Sequence, residues 1–363
     1  MISKKETLVP LVATSFAVLA TLHVLRSPCT KLFSRLRLQW KVSKADKISG
    51  TVSGLYIHPV KSLRAVSVQQ AQLDDKGFVG DRRLMIVYPA PLPAWKKTWE
   101  KKDVTHRFLT QRQCPSLARV SATIDKENLT LTYEETTLTL SLASPSPRQF
   151  HRAKIWDDEV LVDDLGDEAA AFFQAIVNAD PDAAAAGGQY KRVRLVIHAA
   201  KDRLADPEFT PATAMSWLRA SPPPLSLTDG FPILIACQAS LDELNRLLAE
   251  KGKPIVEMSR FRPNIVLTGT EAFEEDRWKY IAVGEQIFAI VKACPRCKQS
   301  CTDQTTGKVY SEPVETMKSF RALNESNKED VFFAQNAIPL GACGTVQVGD
   351  KVRVLERGEP IYC

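Results

Sequence analysis

No basic stripe interleaved with aromatic residues runs through the sequence. The excess of positive charge is only +6, much of it near the N-terminus, which argues against a nucleic-acid partner. No G-x-G-x-x-G follows a strand-like segment, so the usual phosphate cradle of a flavin or nicotinamide nucleotide is missing. There is no internal repeat, and strands do not alternate with crossover helices, which disfavours a parallel α/β sheet. Cysteine is sparse and uneven. Of the eight, Cys294, Cys297 and Cys301 crowd together, while Cys29, Cys114, Cys237, Cys343 and Cys363 are scattered. A secreted disulfide scaffold would be smaller and more evenly stitched, so reduced thiols and a cytosol-facing protein fit better. What is present is ordinary globular material: 363 residues, 44% apolar and 25% charged, enough for two packed domains.

Charge is also missing from Thr7 to Leu25, a run of about nineteen residues that just spans a bilayer core. Lys4 and Lys5 precede it; Arg26, Lys31, Arg35, Arg37, Lys41, Lys44 and Lys47 follow. This bias predicts a signal anchor over residues 1–47, including its basic linker, with the rest of the chain on the cytosolic side. A cleaved secretory signal would not normally carry so basic a downstream flank. A short anchor with positive flanks suits the mitochondrial outer membrane better than the endoplasmic reticulum.

Beyond the linker, strand signals dominate. Val52–Val60 mixes aromatic and β-branched residues, and Leu129–Leu142 alternates with period two about a polar turn, predicting a hairpin. A second hairpin is expected around Asp157-Asp158. Ala169, Phe172, Phe173 and Ile176 share one face of a helix predicted over Asp167–Asn178. A second helix is predicted over Ser240–Lys251, with Ser240 and Glu243 as its capping box and Gly252 as its stop. The low-complexity run Asn178–Gln189 marks the expected division into domains at 48–190 and 191–357. Many short strands and few helices predict an α+β, mostly β architecture containing barrels.

The sharpest local feature is KACPRCKQSCTDQTTG, Lys292 to Gly307. By spacing alone it fits half a zinc site, a redox pair, buried structural cysteines, or a thiolate ligand for a heavy transition metal. No second CxxC or HxxxH completes a zinc set, and Pro295 followed by Arg296 is not the head of a redox helix. Arg296 beside Cys297 would favour the thiolate. Lys61 and Arg262 lie inside strand-like apolar words, where a charge is expensive without an anionic partner.

Longer words surround that cluster in order. They are IHPVKSL from Ile57, GDRRLM from Gly80, FLTQR from Phe108, FPILIACQASLDELN from Phe231, FRPNIVL from Phe261, ACPRC from Ala293, EPVETMKSFR from Glu312 and GTVQVGD from Gly344. Together they resemble the MOSC family, and within it the anchored amidoxime-reducing molybdenum enzymes, from about Ile48 to Leu355. The resemblance implies a MOSC N-terminal β-rich domain and a MOSC β-barrel domain holding Mo-molybdopterin. It places Lys61, Ser62, Arg82, Arg262, Asn264, Pro295 and Arg296 on the cofactor, phosphate included, although Asn264 fits equally well as a residue that only holds the turn after Pro263. It makes Cys297 the metal ligand and catalytic residue, and Asp229, in TDGFP, an acidic catalytic residue near the metal. Cys294 is then structural or supporting. Gly230, Phe231 and Asn336 depart from the family's hydroxyl and aromatic residues, and Cys301 has no counterpart.

The activity so implied is reduction of N-hydroxylated compounds such as amidoximes and hydroxylamines. Lacking its own electron-entry cofactor, the chain would depend on cytochrome b5 and NADH-cytochrome b5 reductase. The alternatives are a molybdenum-cofactor carrier or sulfur-transfer MOSC protein, and a zinc-stabilised binding protein built on Cys294, Cys297 and Cys301.

Overall fold

The computed structural model describes residues 48–90, 106–143, 150–200, 202–210, 222–341 and 343–363. The anchor expected at 7–25 lies outside them, and among the described residues no helix is long and apolar enough to cross a membrane. The protein is mostly β with some helix.

The first of two barrels closes through Phe150–Ile155, Asp158–Asp164, Arg194–Ala200, Leu84–Pro89 and His106–Phe108. All its neighbours are antiparallel except the pair 106–108 with 150–155. Its lumen is filled by alternating apolar residues, Met85, Val87, Ala153, Ile155, Val160, Val162 and Val196. Outside it, the helix Asp167–Ala179 buries Ala169, Phe173, Ile176 and Val177. These pack against Leu195 of the barrel and Leu129 and Leu131 of a three-stranded meander. Burying Phe173 fully is worth ~2–3 kcal/mol. The meander contains the period-two hairpin, observed as Asn128–Tyr133 with Thr136–Ser141.

The second barrel is an eight-stranded sheet whose order runs 265–268, 233–237, 331–339, 286–296, 278–283, 351–357, 50–57, 66–68. Gly50–Ile57 pairs with both Lys351–Arg357 and Ile265–Thr268, so the sheet closes on itself. Leu55, Ile235, Leu267, Ile281, Phe288 and Val352 fill its interior. The division expected at residue 190 is crossed twice: strand 50–57 lies in the second barrel, and strand 194–200 in the first. The run Asn178–Gln189 is structured at its start. Asp180 accepts the Ala183 N–H and caps a short helix, Pro181–Ala185.

The helix Gln238–Glu250 lies on the barrel wall and buries Leu241, Leu244 and Leu248. It ends at Gly252, φ +63, but it has no capping box. Ser240 sits inside the first turn, fully buried, where its hydroxyl donates to Glu275 and accepts the Phe273 N–H at 2.8 Å. Glu243 pairs with Arg246 instead. A buried carboxyl needs a donor more than a solvated helix end needs a cap.

Candidate active site

The nine residues singled out above line one cavity of about 530 Å³, between the second barrel's open end and the first barrel's rim. Lys61 and Ser62 follow strand 50–57 in a turn held by the Lys61 N–H to Leu84 carbonyl bond, 2.7 Å. Arg82 is fixed by its own N–H on the His58 carbonyl, 2.7 Å. Arg262 ends the 3-10 turn Met258–Phe261. Ser62, Arg82, Arg262 and the rim residue Trp156 all have left-handed backbone, φ +70, +49, +56 and +55. Such angles are uncommon for residues with a Cβ and cost on the order of 1 kcal/mol or more each. Four around one cavity indicate a shape held for function.

Lys61 Nζ donates to Asp229 Oδ1 at 2.7 Å and to the Leu227 carbonyl at 2.9 Å. Burial lowers the Lys61 ammonium to about 8, against Asp229, which raises it. Desolvation would raise the Asp229 carboxyl, but Lys61, with Arg82 and Arg112 behind it, holds it well below the usual carboxylate range. At neutral pH the pair is therefore ionic. Arg203 fixes the Asp229 loop by donating to the Thr228 and Asp229 carbonyls at 2.6 and 2.8 Å.

Six cationic side chains line the cavity, Lys61, Arg82, Arg112, Arg260, Arg262 and Arg296, against the carboxylates Asp229 and Asp330. Several are committed to the protein. Arg82 pairs with Asp81 at 2.6 Å, and Arg260 with Asp303 at 3.0 Å. Arg296 grips the Phe333 and Phe261 carbonyls through three bonds of 2.6 to 2.9 Å. Arg262 differs. Its Nη1 donates to the Leu63 carbonyl at 2.6 Å and to Gln304 Oε1 at 3.2 Å, but its Nη2 is buried with no hydrogen-bond partner among the described residues. Desolvation and the neighbouring Arg82 lower its guanidinium to about 9. A buried charged donor left unsatisfied costs ~1–3 kcal/mol or more, so this atom calls for an anion. The residues present thus fit a phosphate-bearing cofactor.

Asn264 is spent on the frame. Its Oδ1 accepts from the Leu234 N–H at 3.1 Å and from Arg82 at 3.3 Å, while Nδ2 donates to the Tyr56 carbonyl at 3.2 Å. This is the turn-holding role, and it orients Arg82.

Cys297 follows the long strand Gln286–Arg296, whose pairing with Val331–Pro339 bulges between Ala293 and Pro295. Its thiol is exposed, and the cation that reaches it is Arg112, Nη1 at 3.6 Å, not Arg296, whose fork points into the protein. Cys294 also lines the cavity, its thiol raised by burial. Cys301 is buried and bonds the Ser311 carbonyl at 3.3 Å. Among the described residues no three His, Cys, Asp or Glu side chains converge on a point that could hold a metal. The three cysteines therefore do not form a closed zinc site.

Sequence reasoning missed Arg112, Trp156, Gln111, Gln304 and Arg203. Gln111 and Gln304, both buried, exchange reciprocal amide bonds of 3.0 and 2.9 Å. That pair ties the FLTQR loop to the segment after Cys297 and presents Gln304 to Arg262. FLTQR itself was the one available signal, and it pointed to the segment without naming these roles.

Residues 49–180 match the MOSC N-terminal beta barrel domain and residues 222–353 the MOSC domain. Mitochondrial amidoxime reducing component 2 of Bos taurus is 30% identical over 321 residues, covering 86% of this chain and 83% of that protein. Mitochondrial amidoxime-reducing component 1 of Homo sapiens is 30% identical over 316 residues, covering 84% and 83%. The Danio rerio component 1 is 28% identical over 339 residues, covering 91% and 89%.

Proposed function

Because the chain belongs to the MOSC family, we propose that it is a molybdenum-cofactor-dependent reductase of N-hydroxylated compounds. The observation that carries this reading is the buried Arg262 Nη2, without a hydrogen-bond partner among the described residues, in a cation-rich cavity that also presents the exposed Cys297 thiol. The names of its relatives point to amidoximes as the substrate class.

When bound, molybdopterin-held molybdenum supplies the two-electron chemistry that no side chain here can provide. Arg262 and Lys61, with Arg82 beside them, hold the terminal phosphate, and the Ser62 turn and Pro295 wall the pterin. Asn264 and Arg296 keep Arg82 and the cysteine loop in place. The Cys297 thiolate ligates the metal, and the Arg112 guanidinium balances its charge. Asp229, ionised and fixed by Lys61, faces the space where substrate enters. The overall change balances as R–C(NH2)=N–OH + 2 electrons + 2 protons giving R–C(NH2)=NH + water. The electrons come from cytochrome b5 and its NADH-dependent reductase, and a membrane anchor near residues 7–25 places the enzyme on the mitochondrial outer membrane, facing the cytosol.

The test is reconstitution of the molybdenum-loaded protein with cytochrome b5, its reductase and NADH. Benzamidoxime should become benzamidine, with one NADH consumed per product. High salt should slow turnover by screening the attraction between this net-positive chain and an acidic cytochrome b5 surface. No N-reduction with this chain or with a chemical reductant would favour a cofactor carrier or sulfur-transfer protein.

A further inference from the structure

Seven large apolar side chains are exposed among the described residues, and of these only Trp156 lines the cavity. It sits in the turn between Phe150–Ile155 and Asp158–Asp164, so the first barrel delivers it to a site built mainly from the second. Its left-handed backbone, φ +55, turns the indole toward the cavity rather than into the barrel. The ring is fixed on three sides. Nε1–H donates to Asp229 Oδ1 at 3.2 Å, the Arg112 guanidinium lies 5.0 Å from its centroid, and Phe108 meets it edge-on at 5.3 Å. The turn is anchored as well, since Arg203 bonds Asp158 at 2.8 Å and the Asp229 loop at once. Even so, 51% of Trp156 stays exposed. An immobilised ring left half open on the cavity that Cys297 also lines is a wall that lacks its contact.

The adjoining carboxylate adds a direction. Lys61 and Trp156 both bond Asp229 Oδ1, Oδ2 accepts no hydrogen bond among the described residues, and the side chain is 64% exposed. A flat group lying against the open indole, with an N–H aimed at that oxygen, satisfies both surfaces together. An amidoxime carried on an aromatic ring has this shape: the ring is the flat part and the amidine NH2 is the donor.

We propose that Trp156 is the substrate-orienting residue of this site, selecting N-hydroxylated amidines that carry a flat aromatic group over those that carry a small aliphatic one. This rests on the reductase reading given above. A purely structural tryptophan, holding Asp229 or Arg112 in place, would affect every substrate alike. A contact wall discriminates by the group that touches it.

The experiment compares benzamidoxime with acetamidoxime, which share one head group. Each is titrated calorimetrically into the full, cofactor-loaded protein in its oxidised form without reductant, so that binding is read apart from turnover. Trp156→Ala should raise the dissociation constant for benzamidoxime roughly tenfold, the scale of a lost aromatic contact, and that for acetamidoxime by less than about twofold. Trp156→Phe keeps a ring without the N–H and should retain most of the preference. The same ordering should appear in KM, with kcat little changed. Equal weakening of both compounds, or of neither, overturns the proposal. If wild type binds and reduces neither compound, the reductase reading itself falls. Melting curves check that the variants stay folded, as expected for a side chain half in solvent.

Discussion

Glu275 is fully buried between the helix Gln238–Glu250 and the strand Trp278–Val283, with Ser240 Oγ 2.8 and 2.9 Å from its two oxygens. Desolvation, aided by the neighbouring Asp276 and only partly offset by Ser240, raises its carboxyl from 4.5 to about 7. Below pH 4.5 folded and unfolded chains are both protonated there, and the group is neutral to stability. Between 4.5 and 7 the unfolded chain ionises while the folded one keeps its proton, so stability falls as pH rises. Above 7 the loss is complete. A gap of about 2.5 pH units at 1.36 kcal/mol each gives ~3 kcal/mol. Glu275→Gln removes the titration and keeps an oxygen for Ser240, although its NH2 gains only Cys237 sulfur nearby as an acceptor. The variant should match wild type near pH 5 and exceed it by ~1–3 kcal/mol at pH 8, read from urea unfolding at fixed ionic strength. If the two proteins lose stability in parallel across that range, Glu275 is not the buried, raised group described here.

Three further outcomes follow from the site. Arg262→Ala should lose ~1.5–3 kcal/mol of cofactor binding, seen as a clear drop in molybdenum and pterin content after purification, and full occupancy would contradict the phosphate assignment. Cys297→Ala should abolish N-reduction while much pterin remains, and Cys294→Ala and Cys301→Ala should keep measurable turnover; equal metal loss in all three would refute a single-thiolate site. Gln111→Ala and Gln304→Ala should each destabilise the protein by ~1–3 kcal/mol, with a coupling of at least ~0.5 kcal/mol in the double-mutant cycle. Additive losses would show that the reciprocal pair is not one unit.

Local pattern carried far in this chain. The hairpin at 128–141 and the helix at 167–179 were legible because periods of two and 3.6 report directly which face meets a core. The nine candidate residues were singled out mainly through words shared with a family, and the structure gathers them round one cavity. Other features had no local signature. Arg112 reaches Cys297 across 185 positions, Gln111 reaches Gln304 across 193, and Trp156 reaches Asp229 across 73. Such contacts depend on how two barrels are set side by side, which period and propensity do not encode. Ser240 shows the opposite failure: its local pattern spelled a cap, and a buried carboxylate 35 positions away took the hydroxyl.

The placement of strand 50–57 governs the order in which this molecule can be made. Beyond its near neighbour 66–68, its partners are strands 265–268 and 351–357, so during synthesis it waits for them while some three hundred residues follow it. The strands of the other barrel, all between residues 84 and 200, are complete long before then and can assemble on the emerging chain. The cavity draws its lining from both barrels, as far along the chain as Asn336. The cavity is therefore completed late, and a chain ending before residue 331 would carry a finished first barrel, Trp156 included, but a cavity without its Asn336 wall and a second sheet without its closing strand.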